Sequence, residues 1–359
     1  MTQIIKVGND PGYLLHLGVH LSELGAYLDK RYGASGHYLI ITNPLVADLY
    51  ADDLLEGLKL FRTELITVPD SEEEKSLQRI SKLTEQALRC RADRDTLVIA
   101  LGGGVIGDLA GFFASIFMRG IRYIHIPTTL LAQIDSSIGG KVAVNHPSGK
   151  NLLGSFYSPE VVWTDFTTLK TLPWTEIQNG LAETIKHALV GDPELFDFLE
   201  EKAEAIKNKD FDILQNLALK SLAVKVKIVS QDQREKGLRI LLNLGHSFGH
   251  ALETEQGFKG ITHGQGVSLG LLAASYLSYR RGMLSASQLT RIENILMSLG
   301  LPTRVEACDP YALLQLMAGD KKNKAGNKVL VLPVGIGKSA VVADCEDDEL
   351  VGAWKKIMK

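Results

Sequence analysis

The sequence predicts an α/β first half built on a parallel sheet, followed by a mainly α-helical second half. Three observations carry this. Short β-branched runs alternate with helical stretches as far as about residue 170, nearly everything from Trp174 onward is helix-forming, and a glycine-rich turn joins an apolar run to a helix within the first half. Alternating β and α elements bury a parallel sheet between two helical layers, which requires strands apolar on both faces.

The strands are read in order as YLLHLG, HYLIIT, LITVP, TLVIAL and IRYIHIP, each rich in β-branched or aromatic residues. Residues 45–62 and 71–91 carry helical periodicity and open next to Asn43-Pro44 and Asp70-Ser71, which are residue types that start helices. The second half offers helices over 175–190, 193–208, 210–230, 243–256, 265–281 and 285–299, with VLVLP near residue 330 as its one late strand. The Leu172-Pro173 turn marks the change of character and divides the chain into domains 1–172 and 173–359. Ligand sites favour clefts between domains, so the chemistry is expected at that seam.

Bulk properties narrow the function. The 359 residues are 45% hydrophobic and 23% charged, as in a soluble globular protein, and the length favours two domains. A net charge of −3 provides no field that attracts nucleic acid or an anionic membrane, so an anionic substrate must be met by a local cluster of Lys and Arg. Cys90, Cys308 and Cys345 are too few and too scattered for a disulfide framework or a zinc ribbon, which fits a reducing cytoplasm. No targeting segment or membrane-spanning run is read in the sequence.

TLVIALGGGVIGDLAGFFAS sets Gly102, Gly104 and Gly107 in the G-x-G-x-x-G spacing, after a strand and at the mouth of a helix. Glycine there allows a tight turn and close backbone approach, and the helix N-terminus offers unpaired N–H groups to a pyrophosphate. The expectation is a Rossmann-like dinucleotide site. The acidic residue that usually ends the following strand is absent from IRYIHIPTT, so ribose recognition falls to Asn43, or to Glu72 with Lys75. A plainer reading of SEEEKS is a solvated helix start. Residues 135–159, DSSIGGKVAVNHPSGKNLLGSFYSP, read as a long glycine-punctuated loop in which Lys141, Asn145, Lys150 and Asn151 can meet phosphate or carboxylate. Arg119, in FMRG, follows an apolar helix and stands outside any charge run.

LNLGHSFGHALE puts His246 and His250 four apart on one helical face, with Gly245 and Gly249 leaving little bulk around the rings and Glu253 one turn on. The pair can share a metal, or can be core histidines on a helix packed through its glycines. In WTEIQNGLAETIKHALV, Glu183, Lys186 and His187 share a face, which by itself reads as an intrahelical ion pair. Combined with His246 and His263, Glu183 completes a Glu-His-His set of the kind that holds catalytic zinc with an open position. Lys225, Lys227, Arg234, Arg239 and Asn243 gather before the histidine helix, and GDKKNKAGNK supplies a late basic segment.

In this order, LGGGVIGDLAGF, RGIRYIHIPTTLLAQIDSSIGGKVAVN, GKNLLGSFY, LKTLP, NGLAETIKHAL, LRILLNLGHSFGHALE and DKKN make a chain that resembles the 3-dehydroquinate synthases. The resemblance implies a dehydroquinate synthase-like fold with an NAD-binding domain first, a helical domain carrying divalent zinc or cobalt second, and a homodimer in the cytoplasm. It implies metal ligands at Glu183, His246 and His263. Substrate contacts fall on Asp135, Lys141, Asn151, Lys186, Lys225, Arg239, Asn243, His250 and Lys321, with Arg119 supplied by the partner subunit. NAD contacts fall on Glu72, Lys75, Gly103, Gly104, Val105, Asp108, Thr128, Thr129 and Lys150, and Lys141 also borders the cofactor. Two departures stand out: GQG follows His263 where many members have a glutamate, and SFYSP replaces AFYQP. With Gln265 in that place, no carboxylate is expected beside His263.

The implied reaction converts 3-deoxy-D-arabino-heptulosonate 7-phosphate, a sugar phosphate, to 3-dehydroquinate and phosphate. It proceeds by transient NAD-dependent oxidation, β-elimination of phosphate, reduction, ring opening and an intramolecular aldol closure. His250 is the candidate for moving a proton or balancing the leaving phosphate, and the substrate phosphate is an alternative base. The rival readings are another sugar-phosphate cyclase, such as those making 2-deoxy-scyllo-inosose or valiolone precursors, a metal-dependent polyol dehydrogenase, and a non-enzymatic NAD sensor. DSSIGGK favours the synthase over the other cyclases, the number of Lys and Arg residues argues against the dehydrogenase, and retention of all three ligands argues against the sensor.

Overall fold

The computed structural model describes residues 2–8, 12–33, 36–257, 260–318 and 329–359, which divide into two compact units, Met1–Leu172 and Pro173–Lys359. Lys321 lies outside the described residues.

The strands of the first unit are β1 (Gln3–Val7), β2 (Tyr13–Leu17), β3 (His37–Thr42), β4 (Arg62–Thr67), β5 (Leu97–Gly102), β6 (Tyr123–Pro127), β7 (Lys141–His146), β8 (Gly149–Phe156) and β9 (Val161–Thr164). Its helices are α1 (Leu24–Tyr32), α2 (Pro44–Gly57), α3 (Leu77–Arg89) and α4 (Gly104–Ile116). Seven strands form one sheet in the order β1-β2-β9-β6-β5-β3-β4. From β2 to β4 every pairing is parallel, and β1 closes one edge by pairing antiparallel with β2.

Both faces of this sheet are buried. Leu39, Ile41, Val98 and Ala100 pack with Leu83 of α3 and Leu109 and Phe113 of α4. Their neighbours Tyr38, Ile40, Leu97, Ile99 and Leu101 face the other way, against Leu24, Leu28, Val46 and Leu54. Side chains alternate along a strand, so a strand apolar throughout needs a layer on each side, and the helices supply both.

Several local expectations shift. Helix α2 opens with Pro44, capped by Asn43 Oδ1 accepting from Val46 N at 2.8 Å, but it ends at Gly57 instead of running to 62. The stretch 71–91 begins as a single 3-10 turn, Glu72–Glu74, and becomes helix only from Leu77. The expected loop over 135–159 contains an antiparallel hairpin of β7 and β8, whose register shifts between Val144 and His146. Buried Val142 and Val144 seat β7 against the α3–α4 side of the core.

The second unit holds α5 (Trp174–Gly191), α6 (Pro193–Lys207), α7 (Phe211–Gln231), α8 (His246–Glu255), α9 (His263–Arg280), α10 (Ala286–Ser298), α11 (Pro310–Ala318) and α12 (Asp347–Ile357). VLVLP becomes strand β10 (Leu330–Gly335), paired antiparallel with β11 (Lys338–Val342). The expected helix 243–256 begins only at His246: Asn243 ends a 3-10 segment, Leu238–Asn243, and Gly245 caps α8 in the left-handed region at φ +79°. Helix α9 is buried along most of its length, and Trp354 of α12 packs edge-on against Phe248 of α8 with ring centroids 4.9 Å apart. No helix among the described residues is long and apolar enough to cross a membrane.

Candidate functional site

In the first unit the glycine turn forms the mouth of α4. Gly103 stands at the N-cap, where among the described residues no side chain caps α4, and a helix N-terminus of this kind can offer its first N–H groups to an external acceptor. A Cβ on Gly103 would press to 3.1 Å from Thr129 Cγ2, and one on Gly104 to 3.3 Å from Ser136 Oγ. Thr128 N donates to Gly102 O at 3.0 Å, which brings Thr128 and Thr129 beside the turn. Gly107 serves packing instead: its Cβ would lie 2.2 Å from His125 Cε1, so only glycine lets α4 sit on β6. Burial pushes the His125 imidazole down to about 4, and it stays neutral.

Lys75 decides how SEEEKS is read. It is 4% exposed, and its Nζ donates to Asp108 Oδ2 at 2.8 Å and Asn151 Oδ1 at 2.7 Å, with Glu72 Oε1 at 3.5 Å. Burial works against the ammonium charge, but the Asp108 and Glu72 carboxylates outweigh it and hold Lys75 above the usual lysine range. The reading of SEEEKS as a solvated helix start therefore fails for Lys75. Asn145 completes the network by donating to Glu72 Oε1 at 2.8 Å and accepting from Asn151 N at 2.9 Å. This contact holds Asn151 in the left-handed region at φ +53°. Glu72, Lys75 and Asp108, expected at the cofactor, thus join Asn151, expected at the substrate. Val105 lies in the first turn of α4, Asp135 in the π-helical turn Ala132–Ser136, exposed Lys141 at the start of β7 and half-buried Lys150 in β8. Arg119 is exposed, and with Met118 it forms two consecutive non-glycine residues at positive φ, +51° and +74°.

In the second unit, backbone proximity builds the histidine cluster. A Cβ on Gly249 would meet Gly266 O at 2.7 Å, and one on Gly270 would meet Gly245 O at 2.0 Å. Glycines on both helices therefore let α8 and α9 touch main chain to main chain. The N-terminus of α9 is tied to α5 by Asn179, whose Oδ1 accepts from Thr262 Oγ1 at 2.6 Å and Gly264 N at 3.2 Å. Thr262 and Gln265 form a reciprocal capping box, so Gln265 is committed to the helix end.

These contacts bring Glu183, His246 and His263 together, with one ligand atom from each within 4.8 Å of the others. Glu183 Oε1 lies 2.9 Å from His263 Nε2 and 3.3 Å from His246 Nε2, while Oε2 contacts Lys186 Nζ. His246 Nδ1 donates to Leu244 O at 3.2 Å, which leaves Nε2 as the lone-pair nitrogen facing Glu183. Glu183 and Lys186 are almost wholly buried. Burial opposes the Glu183 charge, but Lys186, His246 and His263 hold the carboxyl well below its usual range. For His263, burial is outweighed by the hydrogen bond to Glu183 and the nearby Glu253 carboxylate, which push the imidazole up to about 10. A buried carboxylate with two imidazole nitrogens is a fitting donor set for a divalent transition metal, zinc included.

His250 is not part of the trio. It is exposed, with its ring edge-on to His246 at a centroid distance of 5.3 Å. Lys225 is buried on α7 and Arg239 in the 3-10 segment, where Arg239 Nη1 donates to Gln233 O at 2.6 Å. The Asp232 carboxylate accepts from the N–H groups of Lys236, Gly237 and Arg239, shaping that turn. Asn243 Nδ2 donates to Glu235 Oε1 at 2.6 Å. The expectation of no carboxylate beside His263 is corrected, because Glu253 Oε1 lies 3.4 Å from His263 Nδ1. Glu253 falls seven residues after His246, on the same face of α8, and that spacing was the signal for it.

Residues 65–179 match the family model of the 3-dehydroquinate synthase N-terminal domain, and residues 180–323 match that of its C-terminal domain. A 3-dehydroquinate synthase of Pseudoalteromonas translucida is 44% identical over 313 residues, 87% of this chain and 88% of that protein. Among solved structures, the 2-epi-5-epi-valiolone synthase of Streptomyces hygroscopicus subsp. jinggangensis, with NAD+ and Zn2+ bound, has a TM-score of 0.88 at 28% identity over 98% of both chains. A 2-deoxy-scyllo-inosose synthase complexed with carbaglucose-6-phosphate, NAD+ and Co2+ has a TM-score of 0.86 at 25% identity, over 99% of this chain and 100% of that one. With both halves matched in order and a relative of this identity and coverage, the chain belongs to the 3-dehydroquinate synthase family.

Proposed function

We propose that this protein is an NAD- and divalent-metal-dependent 3-dehydroquinate synthase, a carbon-oxygen lyase that turns 3-deoxy-D-arabino-heptulosonate 7-phosphate into 3-dehydroquinate and phosphate. The observation that carries the reading is the convergence of Glu183, His246 and His263 beside Lys186 in a chain of this family. The valiolone and inosose synthases share the fold at lower identity than the 3-dehydroquinate synthase relative, so the dehydroquinate reaction is preferred.

The donor set fits zinc or cobalt on Glu183, His246 and His263, and the glycine turn at Gly103 and Gly104 fits the pyrophosphate of NAD, with Val105, Asp108, Thr128, Thr129, Lys150, Glu72 and Lys75 around it. When bound, the metal supplies a Lewis acid for a substrate oxygen and NAD a hydride acceptor that is restored within the cycle. Lys186, held against Glu183, keeps a positive charge buried next to the ligand set. Lys141, Lys225, Arg239 and Lys321, with Arg119 from the partner subunit of a homodimer, neutralise the phosphate and carboxylate, while Asp135, Asn151 and Asn243 orient the hydroxyls. His250 is exposed next to His246 and moves the proton or balances the departing phosphate. A cytoplasmic location accords with three free cysteines.

The test mixes purified protein, the heptulosonate phosphate and substoichiometric NAD. The expected result is many turnovers of phosphate release per NAD with no lasting NADH absorbance. No phosphate release, or NADH accumulating one for one with product, refutes the assignment.

A further inference from the structure

We propose that Glu253 is a positioning residue for the metal centre, the group that fixes His263 as a ligand through its second ring nitrogen. This rests on the reading of Glu183, His246 and His263 as the metal's ligands.

The argument begins with the ring. His263 has Nε2 directed at Glu183, 2.9 Å away, so Nε2 is the nitrogen turned to the cluster. Its Nδ1 faces Glu253 Oε1 at 3.4 Å. A carboxylate only accepts hydrogen bonds, so when a cation takes the place of the proton that Nε2 shares with Glu183, Glu253 keeps the remaining proton on Nδ1 and the Nε2 lone pair is directed at the cation. Ligating histidines are commonly held this way, by a carboxylate or carbonyl on the far nitrogen that sets the tautomer and raises ligand basicity. His246 uses a backbone carbonyl, Leu244 O, for the same purpose, so each histidine of the trio has its own anchor on the far side of the ring.

The surroundings are built for this contact. Glu253 is 3% exposed, and burying a carboxylate is costly unless it has a specific partner. Gly266 makes the room: a Cβ there would come to 3.1 Å from Glu253 Oε1. Gln265, the neighbouring polar side chain on α9, is turned into the capping box with Thr262, so the carboxylate comes from α8 instead.

The test prepares metal-free wild type, Glu253→Gln and Glu253→Ala, and measures Zn2+ affinity by competition with a chromophoric chelator and the visible absorption of the Co2+ forms. Circular dichroism and the apo unfolding midpoint report folding. Glu253→Ala is expected to lose roughly 10- to 100-fold in Zn2+ affinity and to alter the Co2+ spectrum. Glu253→Gln keeps an acceptor without its charge and should fall between it and wild type. If Glu253→Ala does not fold, Glu253→Gln decides alone, by the same two readouts. Zn2+ affinity within twofold of wild type with an unchanged Co2+ spectrum overturns the inference. A wild type that binds neither metal overturns the metal centre itself, a separate failure visible before any variant is made.

Discussion

His263 Nε2 and Glu183 Oε1 stand 2.9 Å apart, joined across 80 positions of sequence by the seating of α9 on α5. The same oxygen lies 3.3 Å from His246 Nε2, so one carboxylate atom is the meeting point of the three groups. Removing any of the three should abolish tight metal binding. Glu183→Ala, His246→Ala and His263→Ala are expected to purify with less than a tenth of the wild-type zinc or cobalt, measured by elemental analysis after dialysis. Glu183→Ala should also unfold more readily than the metal-free parent, by on the order of 3 kcal/mol in urea, because it leaves the Lys186 charge buried without that carboxylate.

His250 should behave differently. It shares the helical face of His246, but its ring stands outside the ligand group and open to solvent. His250→Ala is expected to keep its metal and to lose roughly 100-fold or more in turnover, a proton-transfer effect. Metal content equal to wild type with a depressed kcat is the expected pair of measurements, and parallel loss of metal would make His250 a ligand.

What can be read from this sequence and what cannot follow from the range of the signal. The long helices α5, α6, α7, α9 and α10 are legible because each carries its own apolar periodicity. The hairpin of β7 and β8 is not, since the glycine-rich GKNLLGSF shows little alternation and its pairing is tertiary. His246 and His250 are visibly on one face, but their spacing is the same whether or not they do the same work, and only α5 and α9 separate them. Lys75 looks solvated within SEEEKS because its partners, Asp108 and Asn151, are 33 and 76 positions away.

That network makes a prediction of its own. Lys75 spans Asp108 and Asn151 with charge-assisted hydrogen bonds, each worth about 1.5–3 kcal/mol when its partner is removed. Lys75→Met should raise the NAD dissociation constant about tenfold or more. In a double-mutant cycle with Asn151→Ala, the two losses should fall short of additive by 1 kcal/mol or more, measured by NAD titration. Simple additivity would separate Asn151 from the cofactor side.

His125 gives a pH dependence. Its imidazole is buried, pushed down to about 4, and its Nε2 has no hydrogen-bond partner among the described residues. Since the folded value lies below the unfolded value of about 6.5, the unfolded chain takes up the proton first as pH falls. Stability should therefore be lost between pH 6.5 and 4, with about 3 kcal/mol as the upper scale of this one group's share. His125→Gln, compared with wild type by urea unfolding across that window, is expected to show the shallower acid limb.

The close approach of α8 and α9 sets two opposing effects against each other at Gly249. Alanine in a helix interior is favoured over glycine by about 1 kcal/mol, and if that were the whole account Gly249→Ala would stabilise the protein. The added methyl, however, would lie 2.7 Å from Gly266 O and 2.8 Å from Gly266 C, main-chain atoms on the neighbouring helix. Overpacking of this kind costs about 1–3 kcal/mol, and here it is relieved only by parting the helices that carry His246 and His263. Gly249→Ala is therefore expected to lower stability and to weaken Zn2+ binding at least tenfold. Gly352, inside α12, is the control, since among the described residues nothing outside its own stretch of helix lies within 4 Å of the position of its Cβ. Gly352→Ala should gain about 0.5–1 kcal/mol and leave metal affinity unchanged. Unfolding curves and chelator competition on the two variants together distinguish a glycine required by helix contact from one that is merely tolerated.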